Sequence, residues 1–600
     1  MSHTFHIPVL GLSFSIDTPV KVARYGISSV ISIVDDELIE RMREFYLKQV
    51  NKVYAAIKKT EDDHRAKRIT AYLDLVSDLV DEQFETLKNL PFLPGTDLSK
   101  YFDLLPDTSA SKILYLQMLD EKNEDQKLSY QEHLRTLITK GSIDVNLMSK
   151  VDRINYDKNG NSFGDQFSDA LAALRGFAKS KLNSSLVLSA GMNPRLYSYL
   201  EEFPDFFPSG DESALKKVIL KVSDFRSASI QAKFLAKKGI WIHEFRIESG
   251  LNCGGHAFAT EGLLLGPILE EFKQKRAELV QELSEIYSKA LNAKGISGLK
   301  IPATRITVQG GIGTFLEDDF LQKYYNLDGT GWGSPFLLVP EATNVDADTL
   351  QLLAGAGKED FYISGASPLG IPFNNFRKST AETQRLERIA KGKPGSPCTK
   401  KFLVSNTEFT AIPICTASRE YQNLKLKELK SRMISEEKYQ QEYNLITEKT
   451  CLCQGLATAV YIKNDILKSR ENNAVAICPG PNTGYFSKIY SLENMVKNIY
   501  GKLNLLEGVE RPHVFVNELS LYVSYLKKDI EMNIKTLTDK KVKQLIRFKE
   551  QLLIGVDYYA TLVPELKKNS TAFNDRFIND LEQIKQLVNR INFPAPLLPK

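Results

Sequence analysis

"ATRITVQGGIG" (residues 303–313) is a short apolar run that passes straight into a turn holding three glycines. "GTGWGSPF" (329–336) repeats the arrangement one helix-length later. A strand, a glycine turn and a helix make one βα unit, and the same unit recurs on reading outward. "KKVILKVSD", "SSLVLSAGMNP" and "GSIDVNLMSKVDR" each precede a helical pattern, and "HIPVLGLSFS" and "ISSVISIV" open the chain. Repeated βα units with apolar strands favour a parallel sheet covered by helices. With about eight units the sheet closes on itself. The predicted fold is therefore α/β, a (β/α)8 TIM barrel assembled from residues 1–40 and 138–385. Residues 41–137 are helical and highly charged and read as an insertion after the second strand. A cysteine-containing extension (386–500) and a mostly helical C-terminal region (501–600) follow.

Bulk properties exclude several classes. The 600 residues carry 78 basic and 74 acidic side chains, a net charge of +4, too little to argue for nucleic acid or an anionic membrane. No apolar run is long enough to span a bilayer, and the first residues lack the pattern of a signal peptide. Six cysteines without dense pairing fit a reducing compartment, so a cytoplasmic protein is expected. The expected partner is a small-molecule substrate, with a homo-oligomer as a further option.

Chemistry in a barrel sits at the C-terminal strand ends. Backbone amides reach a phosphate only where no Cβ blocks them, and a following helix N-terminus adds its positive end. Gly310, Gly311 and Gly313, with Gly333 and Ser334 in the next unit, are thus predicted to bind phosphate. Two ordinary glycine turns are the plain alternative. A second loop, "SGLNCGGHAFAT" (249–260), sets Gly254 and Gly255 before His256, one of only seven histidines. An imidazole there suits acid–base chemistry near neutral pH, or merely caps a turn. Five of the six cysteines lie between 398 and 478. If they bind an iron–sulfur cluster or zinc, Cys398, Cys415, Cys451 and Cys453 are the ligands of choice. No Cys-x-x-Cys pair is present, and buried, unconnected thiols are the alternative.

Together, and in this order, these loops resemble the FMN-dependent barrel family of nitronate monooxygenase (2-nitropropane dioxygenase) and flavin-containing enoyl-acyl-carrier-protein reductase. "SGASPLGIPFNNF" (364–376) is similar to a further element of that family. The resemblance implies a flavoprotein oxidoreductase with FMN at the barrel mouth. Its phosphate would rest on the five loop residues above, and Asn146, Gly191, Gly254 and Gly255 would lie near its ring or ribityl chain. His256 would act as acid or base on a substrate oxidised or reduced at flavin N5, and NAD(P)H is one implied donor. Monooxygenase-like and NAD(P)H-dependent enoyl-reductase-like chemistry both fit. A non-flavin barrel enzyme with a phosphorylated substrate stands beside them. The chain departs from the family at Asn252, where an acidic residue is usual, and at Trp332 and Pro335.

Overall fold

The structure is a computed structural model, described for residues 2–593 apart from 149–151, 157–160, 190, 210–213, 256–260, 299, 534–537 and 569–570. Eight parallel strands close into a barrel: β1 (Phe5–Ile7), β2 (Ser28–Ser32), β3 (Ile143–Leu147), β4 (Ser184–Leu188), β5 (Lys216–Val222), β6 (Ile242–Glu248), β7 (Arg305–Gln309) and β8 (Gly329–Gly331). Each pairs with the next in chain order, and the seam closes where Phe5 meets Thr330 and His6 meets Gly331.

The helical segment between β2 and β3 comprises Asp36–Gln49, His64–Lys88, Asp97–Asp103, Ala110–Asp120 and Glu124–Leu137. Asp35 starts the first of these by accepting the Glu37 and Leu38 amides. The long helix His64–Lys88 buries Ile69, Tyr72, Leu73, Val76, Val80 and Phe84 as one stripe. It lies close against the barrel helix Asp169–Ala178. A Cβ at Gly176 would stand 2.7 Å from the Ala66 carbonyl, so only glycine permits that approach.

Alternation along the strands sends apolar side chains outward under the helices and leaves much of the interior polar. A small apolar layer of Val30, Val187 and Ile219 divides the interior in two. At the N-terminal end, buried Arg246 bridges Asp144 (3.1 Å) and Glu244 (2.7 Å). At the C-terminal end lie Ser32, Asn146, Lys221 and Glu248.

Beyond the barrel, β9 (Phe361–Ser364) and β10 (Phe373–Phe376) form an antiparallel hairpin. The last helices reach back to the barrel through Glu518. It is 1% exposed and accepts from Ser249 Oγ (2.8 Å), the Gly250 amide (3.0 Å) and the Leu265 amide (2.7 Å). It thereby caps the helix Leu265–Ala293, whose own N-cap residue, Leu264, offers no side-chain acceptor. Among the described residues no helix is long and apolar enough to cross a membrane.

Asp318, on the helix Phe315–Tyr324, is buried against β8 and accepts from Thr330 Oγ1 and Trp332 Nε1. Burial outweighs these donors and pushes its carboxyl up to about 6, from an ordinary 3.8. The folded state therefore binds a proton that the unfolded chain releases, and wild-type stability falls as pH rises from about 4 through 6. Asp318→Asn is expected to remove that slope and to be the more stable protein at pH 7. Denaturant unfolding across this range checks it, and an unchanged slope would mean that Asp318 is ionised in the fold.

Candidate functional site

A cavity of about 320 Å³ opens at the C-terminal ends of the strands. That is the small end of the range for ligand pockets, roughly 300–1,000 Å³. Its floor is polar (Ser32, Asn146, Lys221, Glu248, Asn252) and its roof apolar (Phe373, Phe402, Leu403, Leu452, Leu456). The floor belongs to the strand ends and the roof to the hairpin and the cysteine-containing extension, so residues far apart in the chain enclose one space.

Gly254 and Gly255 line the wall, at φ +98° and +86°. L side chains rarely adopt that backbone, which explains the glycine pair. The Gly254 amide donates to the Cys478 carbonyl (3.2 Å), and the Gly255 carbonyl accepts the Asn374 amide (3.3 Å). A Cβ at Gly255 would meet nothing within 4 Å. The loop is thus pinned to the extension while its second glycine faces open space. His256 follows immediately and lies outside the described residues. Gly191 sits at φ +114° in the turn after β4, two residues past Ser189 on the cavity wall.

The floor is organised by Glu248. Its Oε1 accepts from Lys221 Nζ (3.1 Å), Gln309 Nε2 (2.8 Å) and Asn252 Nδ2. Gln309 continues to His6 (3.4 Å), where burial holds the imidazole down at about 3 and so neutral. Two amide oxygens, Asn146 Oδ1 and Asn252 Oδ1, are buried without a hydrogen-bond partner, and Asn146 as a whole is 8% exposed. A buried acceptor left unpaired costs about 1–3 kcal/mol. Two such acceptors around one cavity ask for a ligand that carries N–H or O–H donors. Lys221 and Glu248 escape sequence reading. Their only signal is a charge at the last inward position of two adjacent strands, in "KVILKV" and "HEFRIE".

The predicted phosphate loops are placed differently. Gly310, Gly311, Gly313, Gly333 and Ser334 are all buried, and none of them lines the cavity. The Gly313 and Thr314 amides donate to Glu317 Oε2 (2.9 and 3.3 Å). Arg511 Nη1 and the Val514 amide each donate to Glu317 Oε1 at 2.6 Å, and Arg511 also donates to the Gly311 carbonyl. Burial alone would raise the Glu317 carboxyl; Arg511, His513 and the Gly313 amide hold it below the ordinary value instead. The loops are built as the sequence suggests, but the chain's own groups fill them, so they do not fit the phosphate of FMN. The mouth cavity, with its unpaired acceptors, does fit a flat ring that carries donors.

The cysteines do not gather as a metal site. Cys398 and Cys415 line a separate surface pocket, whereas Cys453 faces the barrel mouth among leucines. Hydrogen bonding to Cys415 holds the Cys398 thiol down at about 7, while burial pushes Cys453 up to about 12. Cys451 precedes the helix Leu452–Lys463. Among the described residues no group of three or more His, Cys, Asp or Glu is arranged to hold a metal ion. The expected set of Cys398, Cys415, Cys451 and Cys453 is corrected accordingly: the thiols are near enough to perturb one another but are not arranged as a ligand set.

No family model matches the chain, and no curated protein matches it in sequence. Among solved structures it is similar to the enoyl reductase domain of MlnA from the macrolactin biosynthesis cluster of Bacillus amyloliquefaciens. That likeness has 14% identity and a TM-score of 0.33, over 68% of this chain and 87% of that one. It is also similar to a nitroalkane oxidase from Streptomyces ansochromogenes, at 8% identity and a TM-score of 0.33, over 84% of this chain and 95% of that one. Likeness at this level carries no functional argument, which rests on the chain's own residues.

Proposed function

We propose that this protein is an oxidoreductase that works on a small organic substrate at the barrel mouth, with a flavin as its redox group. The observation that carries the reading is the pair of unpaired acceptors, Asn146 Oδ1 and Asn252 Oδ1, at a cavity lined by Gly254 and Gly255, which precede His256 in the sequence. A bound flavin supplies two-electron transfer at its N5. The protein supplies the rest. Asn146 and Asn252 would accept from the donors that the bound group carries, and the apolar roof of Phe402, Leu403, Leu452 and Leu456 would keep water out. Lys221 and Glu248 pair on the floor (3.1 Å) and fix its polar groups in place. His256 is the proton donor or acceptor in this reading. A nitronate oxidised by oxygen and an unsaturated acyl group reduced by NAD(P)H are the two substrate classes to be separated.

The test adds flavin to the purified protein, records the visible spectrum, and then offers NAD(P)H and an alkyl nitronate without oxygen. A perturbed flavin band that one donor bleaches is expected. His256→Ala is expected to keep the flavin and lose about 100-fold or more in turnover. Unchanged turnover would remove the role given to His256. A protein that takes up no flavin overturns the reading.

A further inference from the structure

We propose that Glu317, clamped by Arg511, stands where a phosphate group would bind, so that the barrel mouth recognises a flavin by its ring alone and holds riboflavin as well as FMN. The second half rests on the flavin reading above; the filled cradle stands without it.

A phosphate cradle needs free amides, space above the glycines and a positive field. Each is already used. The amides of Gly313 and Thr314 belong to Glu317 Oε2. The space is shut from the extension side. A Cβ at Gly313 would lie 2.8 Å from the Arg511 guanidinium, and one at Gly311 would lie 3.1 Å from Val514. At the second loop the crowding runs the other way: a Cβ at Gly480 would lie 2.5 Å from Ser334 Oγ. The field is cancelled within the ion pair, whose side chains are 4% and 0% exposed.

A carboxylate that reaches back to the start of its own helix is by itself an ordinary capping box, and Thr314 and Glu317 form one. What exceeds a cap is the other carboxylate oxygen. It is held by a guanidinium 194 residues downstream, and that guanidinium is itself oriented by Asn482 Oδ1 (2.9 Å). Asn482 Nδ2 in turn donates to the Ile312 carbonyl (2.9 Å). Two segments that follow the barrel, around 480 in the extension and around 511 in the C-terminal region, are thus keyed into both glycine loops. A phosphate dianion would have to displace an anion that is already neutralised and buried. On the cavity side the cation present, Lys221, is engaged by Glu248.

The experiment titrates the full-length protein with riboflavin and with FMN, following flavin fluorescence, and in parallel follows its melting temperature with inorganic phosphate. The two flavins are expected to bind within about threefold of each other, and phosphate to leave the wild-type melting temperature unchanged. FMN tighter than riboflavin by about tenfold or more, or a wild-type protein stabilised by phosphate, overturns the proposal. If neither flavin binds, the functional reading fails, and the cradle is decided by the phosphate arm. Glu317→Ala exposes two amides and an unpaired Arg511, so phosphate is expected to raise the melting temperature of this variant alone. If it does not fold, Glu317→Gln, which keeps an acceptor and drops the charge, carries the same comparison. A variant that stays indifferent to phosphate would mean that the site is no cradle.

Discussion

Arg511→Met is expected to lower folding stability by about 3–5 kcal/mol at neutral pH, the usual cost of removing one partner of a buried ion pair. Glu317 is 0% exposed, and the Arg511 guanidinium donates to its Oε1 at 2.6 Å. Without the guanidinium, burial is opposed only by the backbone amides and His513, and the carboxyl pKa is driven upward. The pH dependence then changes sign. In the wild type the folded carboxyl titrates below its ordinary 4.5, so its contribution is present above that pH and is lost as pH falls through the lower folded value. In the variant the deficit is greatest at neutral pH and shrinks on acidification, as the carboxyl takes up a proton. The double variant Glu317→Leu/Arg511→Met, which removes both charges, is expected to recover most of the loss. Denaturant unfolding at pH 7 and pH 5 measures all three proteins. A single variant within about 1 kcal/mol of wild type, as exposed pairs typically are, would mean that the clamp does not hold the extension to the barrel.

The same pair shows where reading the sequence stops. The βα alternation is local, and so the barrel, the interruption after β2 and the glycine turns at the strand ends are legible from short stretches. The filling of "QGGIGT" is not. A phosphate loop and two ordinary glycine turns present the same glycines before a helix start, and the Thr314–Glu317 spacing does not decide between them. What separates them is an arginine almost 200 residues away, in a segment with no pattern that ties it to the loop. The cysteines mislead for a related reason. Closeness along the chain suggests a shared site, but the roof turns Cys453 toward the barrel mouth while Cys398 and Cys415 line a different pocket. In β6, Glu244, Arg246 and Glu248 alternate with Phe245 and Ile247. On an open sheet that pattern would put the charges in solvent. Closure of the barrel covers the apolar face with helices and turns the charges inward, which places Glu248 on the cavity floor.

Glu248→Ala is expected to affect both stability and binding. One carboxylate oxygen gathers donors from three segments: Lys221 at the end of β5, Gln309 at the end of β7, and Asn252 in the glycine loop. Removing it leaves the Lys221 ammonium without its acceptor at 11% side-chain exposure, and frees two amide donors as well. Donors stranded in this way cost about 1–3 kcal/mol each, and partial access to water brings the expected loss to about 2–4 kcal/mol. Asn252 also loses its anchor, so its unpaired Oδ1 and the adjacent Gly254 and Gly255 are no longer held toward the cavity. Ligand affinity is therefore expected to fall by about tenfold or more, the worth of one well-placed polar contact. Glu248→Gln keeps an acceptor and is expected to restore part of the stability, without the charge that steadies Lys221. Flavin titration and denaturant unfolding on the same samples separate the two sites. Arg511→Met weakens the fold but leaves the dissociation constant of the folded fraction unchanged, because Arg511 stands outside the cavity. Glu248→Ala must move both. If Glu248→Ala binds flavin as the wild type does, Glu248 only braces the strand ends, and recognition rests on Asn146 and the roof.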